Sequence, residues 1–368
     1  MSDHEHSVAV IGSHEPDYPR HLVLEEALRN AGRTLHLRSS RIGFPWRHFA
    51  IARHVLGLPR DVRVIIATEG AHRIVPLMKF WAKMTGRKIL FDPFLSRYNT
   101  RVEDRKYYAP GSLQARIAHW QDWSSCKSSD FLIFDTEEHR EYFYERYDLK
   151  APAAVIPVGV PEDLFAYPME GISPPDDSFE VLFYGTFIPL QGIETLVDAA
   201  QFLPEGTRIT VIGRGQTYDQ VMEHVRKKDV SEDRLRFEEP VPFEEIPGRL
   251  TGSHISLGIF GETDKAARVV PNKVVQAAAM GRPIITGDTP AIRRYFEHGK
   301  NCFLVPPGDG KALAEAILTL RDNPAMCASL GAGARGVFEE NFSLEAIARE
   351  LARAVAALES SSTGQEGQ

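Results

Sequence analysis

Cysteine is scarce in this chain and long apolar runs are missing. Only Cys126, Cys302 and Cys327 carry thiols among 368 residues. They are odd in number, far apart and without metal-ligand spacing, which argues against a disulfide framework and a structural zinc site. No stretch of eighteen apolar residues occurs, so no hydropathy-type membrane helix is expected. The opening Met1-Ser-Asp-His-Glu-His has neither the basic region nor the apolar core of a signal peptide, and a cytoplasmic location is expected. Acidic side chains are nearly absent from residues 31–90, which hold 12 Lys/Arg against Asp61 and Glu69 alone.

What is present is an ordinary globular composition, 43% hydrophobic and 25% charged, in a chain long enough for two domains. The net charge of −7 hides an asymmetry: residues 1–150 carry 23 basic and 19 acidic side chains, residues 151–368 carry 20 and 31. Within the basic region, residues 41–60 interleave aromatic and basic side chains. This pattern suits a helix lying on an anionic bilayer or a site for an anionic acceptor. It equally suits a core-facing helix through Phe49, Ile51, Val55 and Leu56 with a solvated basic edge.

Short apolar runs at 7–12, 62–67, 88–91, 131–134 and 153–157 alternate with helical patterns, the first at 22–31, and predict a doubly wound parallel sheet. Runs at 181–185, 208–213, 235–237, 254–259, 283–286 and 302–305 repeat the logic. A stretch rich in Pro, Gly and Asp lies between them. The expected organisation is an N-terminal domain over 1–160, a linker over 161–180 and a second domain over 181–343. An amphipathic helix over 344–358 is expected to pack back on the first domain, with a disordered tail at 359–368.

The most informative motif is Pro271-Asn-Lys273, leading through Ala277-Ala-Ala279 to Gly281-Arg-Pro283 and a strand. Pro271 and Asn272 are helix-start signals, and Lys273 falls in the first turn, where free N–H groups and the helix dipole favour an anion such as phosphate. Gly213-Arg-Gly215 follows a buried strand and opens a helix, permitting close approach of a nucleotide to the backbone. The third glycine of the dinucleotide fingerprint is Tyr218 here, which argues against a nicotinamide dehydrogenase.

Taken together, Tyr184-Gly185 through Gln191-Gly192, Val211-Ile-Gly-Arg-Gly215, Pro271-Asn-Lys273 through Gly281-Arg-Pro283, and Gly299 through Gly308-Asp309 resemble the GT-B glycosyltransferases. The closer resemblance is to the retaining, family 4-like group that uses nucleotide-sugar donors. It implies two Rossmann-like domains facing a cleft, and transfer of a sugar to a hydroxyl acceptor with retention and without a metal. No cofactor beyond the nucleotide-sugar co-substrate is implied. Saccharide, lipid-linked and small-molecule acceptors stay open, with cell-envelope or polysaccharide biosynthesis as the setting, and no nucleic-acid partner is expected.

Two departures stand out. Where many members hold an Arg and a Lys for the donor diphosphate, this chain has Thr186 and Gln191; where they hold two glutamates, it has Arg268 and Gln276. With no Asp-x-Asp in the chain, Arg268 and Lys273 are expected to supply the missing charge, helped by N–H groups at Asn272, Thr186 and Gly12. Gly213, Arg214, Gly215, Glu238 (or Glu239) and Gln276 are the expected nucleoside side, and Glu262 and Asp264 the donor-sugar side. On the acceptor side the resemblance points to Gly12, Ser13 and His14, and to Asp92 as acceptor-orienting group or base, although Asp before Pro is also a common turn element. Arg97, Arg101 and Arg105 could receive an anionic acceptor. The competing readings are a non-catalytic GT-B scaffold that binds a nucleotide or a partner, and a sugar-nucleotide epimerase on the same fold.

Overall fold

The computed structural model of the chain describes residues 7–12, 19–39, 46–167 and 178–363. It divides into two units, residues 1–157 with 344–368, and residues 158–343. In the first unit, strands and helices alternate as β1 (Val8–Gly12), α1 (Pro19–Asn30), β2 (Leu35–Ser39), α2 (Trp46–Leu56), β3 (Val64–Ala67), α3 (Val75–Met84), β4 (Lys88–Phe91), α4 (Leu113–Lys127), β5 (Phe131–Phe134), α5 (Glu137–Tyr147) and β6 (Ala153–Val155). The sheet is parallel, in the order β2-β1-β3-β4-β5-β6.

All five residues of β1 are buried, as a parallel strand covered on both faces requires. Ala9 and Ile11 face one way, into a core with Ile51 and Val55 of α2, Met78 and Ala82 of α3, and Phe143 and Tyr147 of α5. Val8 and Val10 face the other way, towards Val23, Ala27 and Leu28 of α1. Two expectations are corrected here. The edge strand β2 was not foreseen, because Leu-His-Leu-Arg-Ser alternates apolar and polar residues over a short stretch and presents no apolar run. Of the four α2 residues expected to face the core, Ile51 and Val55 do, whereas Phe49 is 70% and Leu56 50% exposed.

The second unit continues with β7 (Phe179–Tyr184), α6 (Ile193–Ala200), β8 (Thr207–Ile212), α7 (Tyr218–Lys228), β9 (Leu235–Glu238), α8 (Ile246–Thr251), β10 (Ile255–Leu257), α9 (Asp264–Ala267), α10 (Asn272–Ala279), β11 (Ile284–Gly287), α11 (Pro290–Arg293), β12 (Phe303–Val305), α12 (Gly310–Arg321) and α13 (Pro324–Asn341). Its parallel sheet runs β12-β11-β10-β7-β8-β9. One large core joins Phe183 and Val211 of the central strands to Leu196 of α6 and Ile317 of α12.

The last helix, α14 (Leu344–Thr363), belongs to the first unit. Ile347, Leu351, Val355 and Leu358 recur at helical spacing and close the β1–α1 face of the first sheet. The helix runs into the stretch expected to be a tail. Glu359 is clamped there by Arg33 through two hydrogen bonds of 2.8 and 3.1 Å, a bidentate pair that holds the last turns in place.

Candidate active site

In a doubly wound sheet the ligand crevice lies beyond the carboxyl ends of the strands, where strand order reverses. In the second unit that point falls between β7 and β10. β7 runs into Gly185 at φ 149°, and a Cβ on Gly213 would lie 2.1 Å from the Gly185 carbonyl oxygen. Phe187 N–H donates to Arg214 O at 3.0 Å and Thr217 N–H to Phe187 O at 3.1 Å, so the loop after β7 lies along the loop after β8. Gly192, at φ 63°, sits where a Cβ would meet the Phe260 and Gly261 backbone at 2.4 Å. It is the N-cap of α6, and neither it nor Pro271, the N-cap of α10, offers a side-chain cap. Two helices therefore open with N–H groups free for an anion.

Beyond these ends lies a cavity of about 410 Å³, with Tyr184, Thr186, Gly213, Arg214, Phe243 and Asn272 among its walls. Its size suits a small-molecule site, of order 300–1,000 Å³. Lys273, the second residue of α10, lies beside it and is only 5% exposed. Its Nζ stands 3.5 Å from the centroid of the Phe183 ring and donates to Gln191 Oε1 at 2.6 Å. No carboxylate is within ion-pair distance of this ammonium among the described residues. Burial pushes its pKa well below the ordinary lysine value. The cation thus touches Gln191, the position at which the resembled family carries its own lysine.

The other expected donor-side residues divide. Thr186, Gly213, Arg214 and Asn272 line the cavity, and Gly215 backs it, since a Cβ there would sit 2.6 Å from Phe187 O. Arg214 stacks 4.2 Å from the Tyr218 ring and is held by Glu239 at 2.9 Å. Gln276 does not reach the cavity. It is buried and accepts a hydrogen bond from Tyr184 Oη at 2.8 Å, and the residue of this pair that lines the wall is Tyr184. Glu238 lines a different cavity, paired with Arg249 at 3.0 Å, because strand alternation sends it to the same side as Arg236. Arg268 ends α9 half-buried, Glu262 is exposed with its carboxylate over Gly308, and Asp264 opens α9. None of these three lines the cavity.

In the first unit the strand order reverses between β1 and β3. Gly12 ends β1, buried; Ser13 and His14 lie outside the described residues. Asp92 follows β4, fully buried, and is not a plain turn residue: its carboxylate accepts from Arg20 Nε at 2.9 Å. Arg20 also donates to the carbonyls of Ile156 and Pro157 at 2.8 and 2.9 Å, tying the exit of β4 to the end of β6. Burial raises the Asp92 carboxyl despite Arg20, and its second oxygen has no partner. Burial would raise Asp135 as well, but His139, at 2.6 Å, and Arg20 hold it below the usual value.

Sequence reasoning missed Glu69, which leaves β3 at the reversal point. Both its carboxylate oxygens are buried without a partner, and burial together with the Asp92 charge pushes its pKa up to about 8. A signal existed, since Glu69 is one of two acids in a basic stretch of sixty residues. Arg97 and Arg101 do lie on the connection after β4, Arg101 within a π-helical turn over Asn99–Asp104.

Residues 178–323 match the family model described as glycosyl transferases group 1. The chain is 27% identical over 175 residues to the lipopolysaccharide core biosynthesis glycosyltransferase LpsD of Rhizobium meliloti, covering 47% of this chain and 48% of that one. It is 28% identical over 209 residues to a phosphatidyl-myo-inositol mannosyltransferase of Mycobacterium leprae, covering 54% and 52%. The chain thus spans about half the length of these relatives. Among solved structures, Alr3699/HepE of Anabaena in complex with UDP superposes with a TM-score of 0.72 at 14% identity, over 95% of this chain and 100% of that one. A sucrose-phosphate synthase of Thermosynechococcus elongatus superposes with a TM-score of 0.71 at 19% identity, over 96% and 99%.

Proposed function

We propose that the chain, whose residues 178–323 match the group 1 glycosyl transferases and whose fold is that of the GT-B enzymes, moves a sugar from a nucleoside-diphosphate sugar to a hydroxyl acceptor, with retention and without a metal. The observation that carries this reading is Lys273, a buried amine at the open end of a helix with no carboxylate in ion-pair reach among the described residues. A buried cation of this kind is costly until an anion joins it, and a diphosphate is the anion the surrounding N–H groups suit. That the structural neighbour is in complex with UDP supports a nucleotide as ligand of this fold. The names of the relatives support a role in envelope polysaccharide or glycolipid synthesis.

In this reading the base and ribose lie against Tyr184, Gly213 and Phe243, and the diphosphate lies at the α6 and α10 N-termini beside Lys273. As the bond from the anomeric carbon to phosphate oxygen breaks, charge grows on that oxygen, and the ammonium and helix ends stabilise it. The acceptor oxygen bonds to the anomeric carbon on the same face, and its proton passes to the leaving phosphate. No carboxylate pair is needed for this course. Within the first unit, Glu69 and the buried Asp92–Arg20 pair at the strand-order reversal are the groups this reading offers for the acceptor side. Exposed Trp46, Phe49 and Leu56 within the basic 41–60 stretch support peripheral contact with a membrane.

Thermal-shift titration with nucleoside diphosphates tests the donor site: a ligand at a hundred times its dissociation constant stabilises the fold by about 2.7 kcal/mol. The expected result is a shift with one nucleotide that Lys273→Met removes. A shift that survives in Lys273→Met sinks the phosphate assignment. The configuration of the product, read by NMR, tests retention, and turnover in a chelator tests independence from metal.

A further inference from the structure

Three guanidinium groups of the first unit come together, none within ion-pair distance of a carboxylate among the described residues, although the charge of Asp122 acts on Arg97. Arg73 closes a 3-10 turn, Ala71–Arg73, that follows β3; Arg97 follows β4; Arg101 lies in the π-helical turn. They are close enough to act on one another's charge. Burial first, then Arg101 and Arg73, hold Arg97 down to about 10; beneath them burial, Arg97 and Arg101 hold the ring of His72 neutral, with a pKa near 3.

Asp122 of α4, whose charge acts on Arg97, has its oxygens engaged elsewhere. It accepts from Ser96 Oγ at 2.7 Å, from the N–H groups of Arg97 and Tyr98 at 3.0 and 2.9 Å, and from Tyr147 Oη at 3.0 Å. These bonds fix the loop that carries Arg97. They leave its guanidinium unpaired, and Arg97 Nε is buried with no hydrogen-bond partner. Like charges gathered on a rigid, partly buried support suit a multivalent anion, and the planar fork of arginine matches phosphate oxygens in pairs.

A second observation says where that anion comes from. The elements carrying Arg73 and Arg101 pack against α4. Leu113, Ile117, Trp120 and Trp123 recur along one outward stripe of that helix and are between 41% and 69% exposed, flanked by exposed Arg116 and Lys127. An apolar, tryptophan-bearing stripe with basic flanks suits the boundary of an anionic bilayer. We propose that Arg73, Arg97 and Arg101 form a binding site for the phosphate of a lipid-borne acceptor, whose apolar part lies along the α4 stripe. The proposal rests on the glycosyl-transfer reading and names the class of its acceptor.

The test is co-sedimentation with vesicles of phosphatidylcholine, with and without phosphatidic acid, alongside calorimetry with glycerol phosphate as the headgroup alone. Wild-type protein is expected to prefer the phosphatidic-acid vesicles. Arg97→Gln with Arg101→Gln should lose that preference by roughly thirtyfold, with the fold intact by circular dichroism. Trp120→Ser with Trp123→Ser should weaken binding to both kinds of vesicle and leave any binding of glycerol phosphate unchanged. An undiminished preference in the arginine variant overturns the site. Binding of glycerol phosphate without binding of vesicles also overturns it, in favour of a soluble phosphorylated acceptor. The same arginine variant should keep the thermal shift with the nucleoside diphosphate that stabilises wild type, so loss of vesicle binding beside an intact nucleotide shift belongs to this site alone. A wild type that no nucleoside diphosphate stabilises would count against the donor reading instead.

Discussion

Lys273 is unusual for a lysine, because burial in the folded chain disfavours its ammonium form relative to the unfolded chain. A lysine whose folded pKa is depressed weakens the fold progressively as pH falls from the ordinary lysine value to the depressed one, and fully below it. Lys273→Met is therefore expected to raise the melting temperature of the ligand-free protein at neutral pH by a few degrees while abolishing the shift with nucleotide. Diphosphate binding should draw a proton onto the amine wherever the assay pH lies above its depressed pKa. Calorimetry in buffers of different ionisation enthalpy would show that uptake; its absence in wild type would remove the coupling. Glu69 behaves in the opposite sense. It keeps its proton to about pH 8 in the fold but loses it near 4.5 when unfolded, so its contribution is greatest in acid and declines between those values. Glu69→Gln should match wild type in stability below pH 4.5 and gain on it up to pH 8, by at most about 1.4 kcal/mol per pH unit. Melting curves of both proteins across that range test this. The two residues also differ in how far the sequence discloses them. Lys273 announces itself through the adjoining Pro271-Asn272 start, whereas the importance of Glu69 depends on strand order reversing between β1 and β3, which no local pattern contains.

Among the elements, long apolar or amphipathic runs were readable and the short alternating one was not. β4, β5 and β7 show as buried runs because helices cover both of their faces; β2, at an edge, has only its alternation. α10 was readable as a helix but not in its side-chain directions, since only packing against β7 turns Gln276 to the Tyr184 hydroxyl and out of the cavity. The crossing of the two loops after β7 and β8 depends on missing side chains. Gly213→Ala would place a methyl group 2.1 Å from the Gly185 oxygen at a φ of 144°, and no flexible side chain is there to yield. The expected outcome is a displaced loop, lost nucleotide binding and about 2 kcal/mol or more of destabilisation, read from denaturant melts. In α14, Leu351→Ala should cost about 2–5 kcal/mol, because it opens a cavity in the face shared with α1.

For the whole molecule, the charge asymmetry between the halves of the sequence gives the first unit a surface character of its own. Phe49 and Leu56 of α2, Phe80 and Met84 of α3, and the α4 stripe are all exposed, on helices that cover the same face of one sheet. Attraction of such a basic surface to anionic lipid is screened over about 8 Å at physiological ionic strength. Vesicle association should therefore fall steeply as salt is raised, leaving a residual that Phe49→Ser with Phe80→Ser removes. Association indifferent to both changes would exclude this face. The aromatic residues of 41–60 pointed towards such a surface in the sequence, but the contribution of α4 did not show there, because a helix with tryptophans along one side reads equally well as core until the sheet is found on its other side.

The return of α14 to the first unit has a consequence for synthesis. Residues 158–343 form a continuous stretch that can complete its core as soon as it has left the ribosome, whereas the first unit, although begun earlier, lacks Ile347, Leu351, Val355 and Leu358 until the second unit has been made. The usual order of domain completion from the N-terminus is thereby reversed. Through the making of the whole second unit, the part of the first sheet and of α1 that α14 later covers stays open to solvent, and in that interval the nascent chain carries an unpaired apolar surface prone to aggregation.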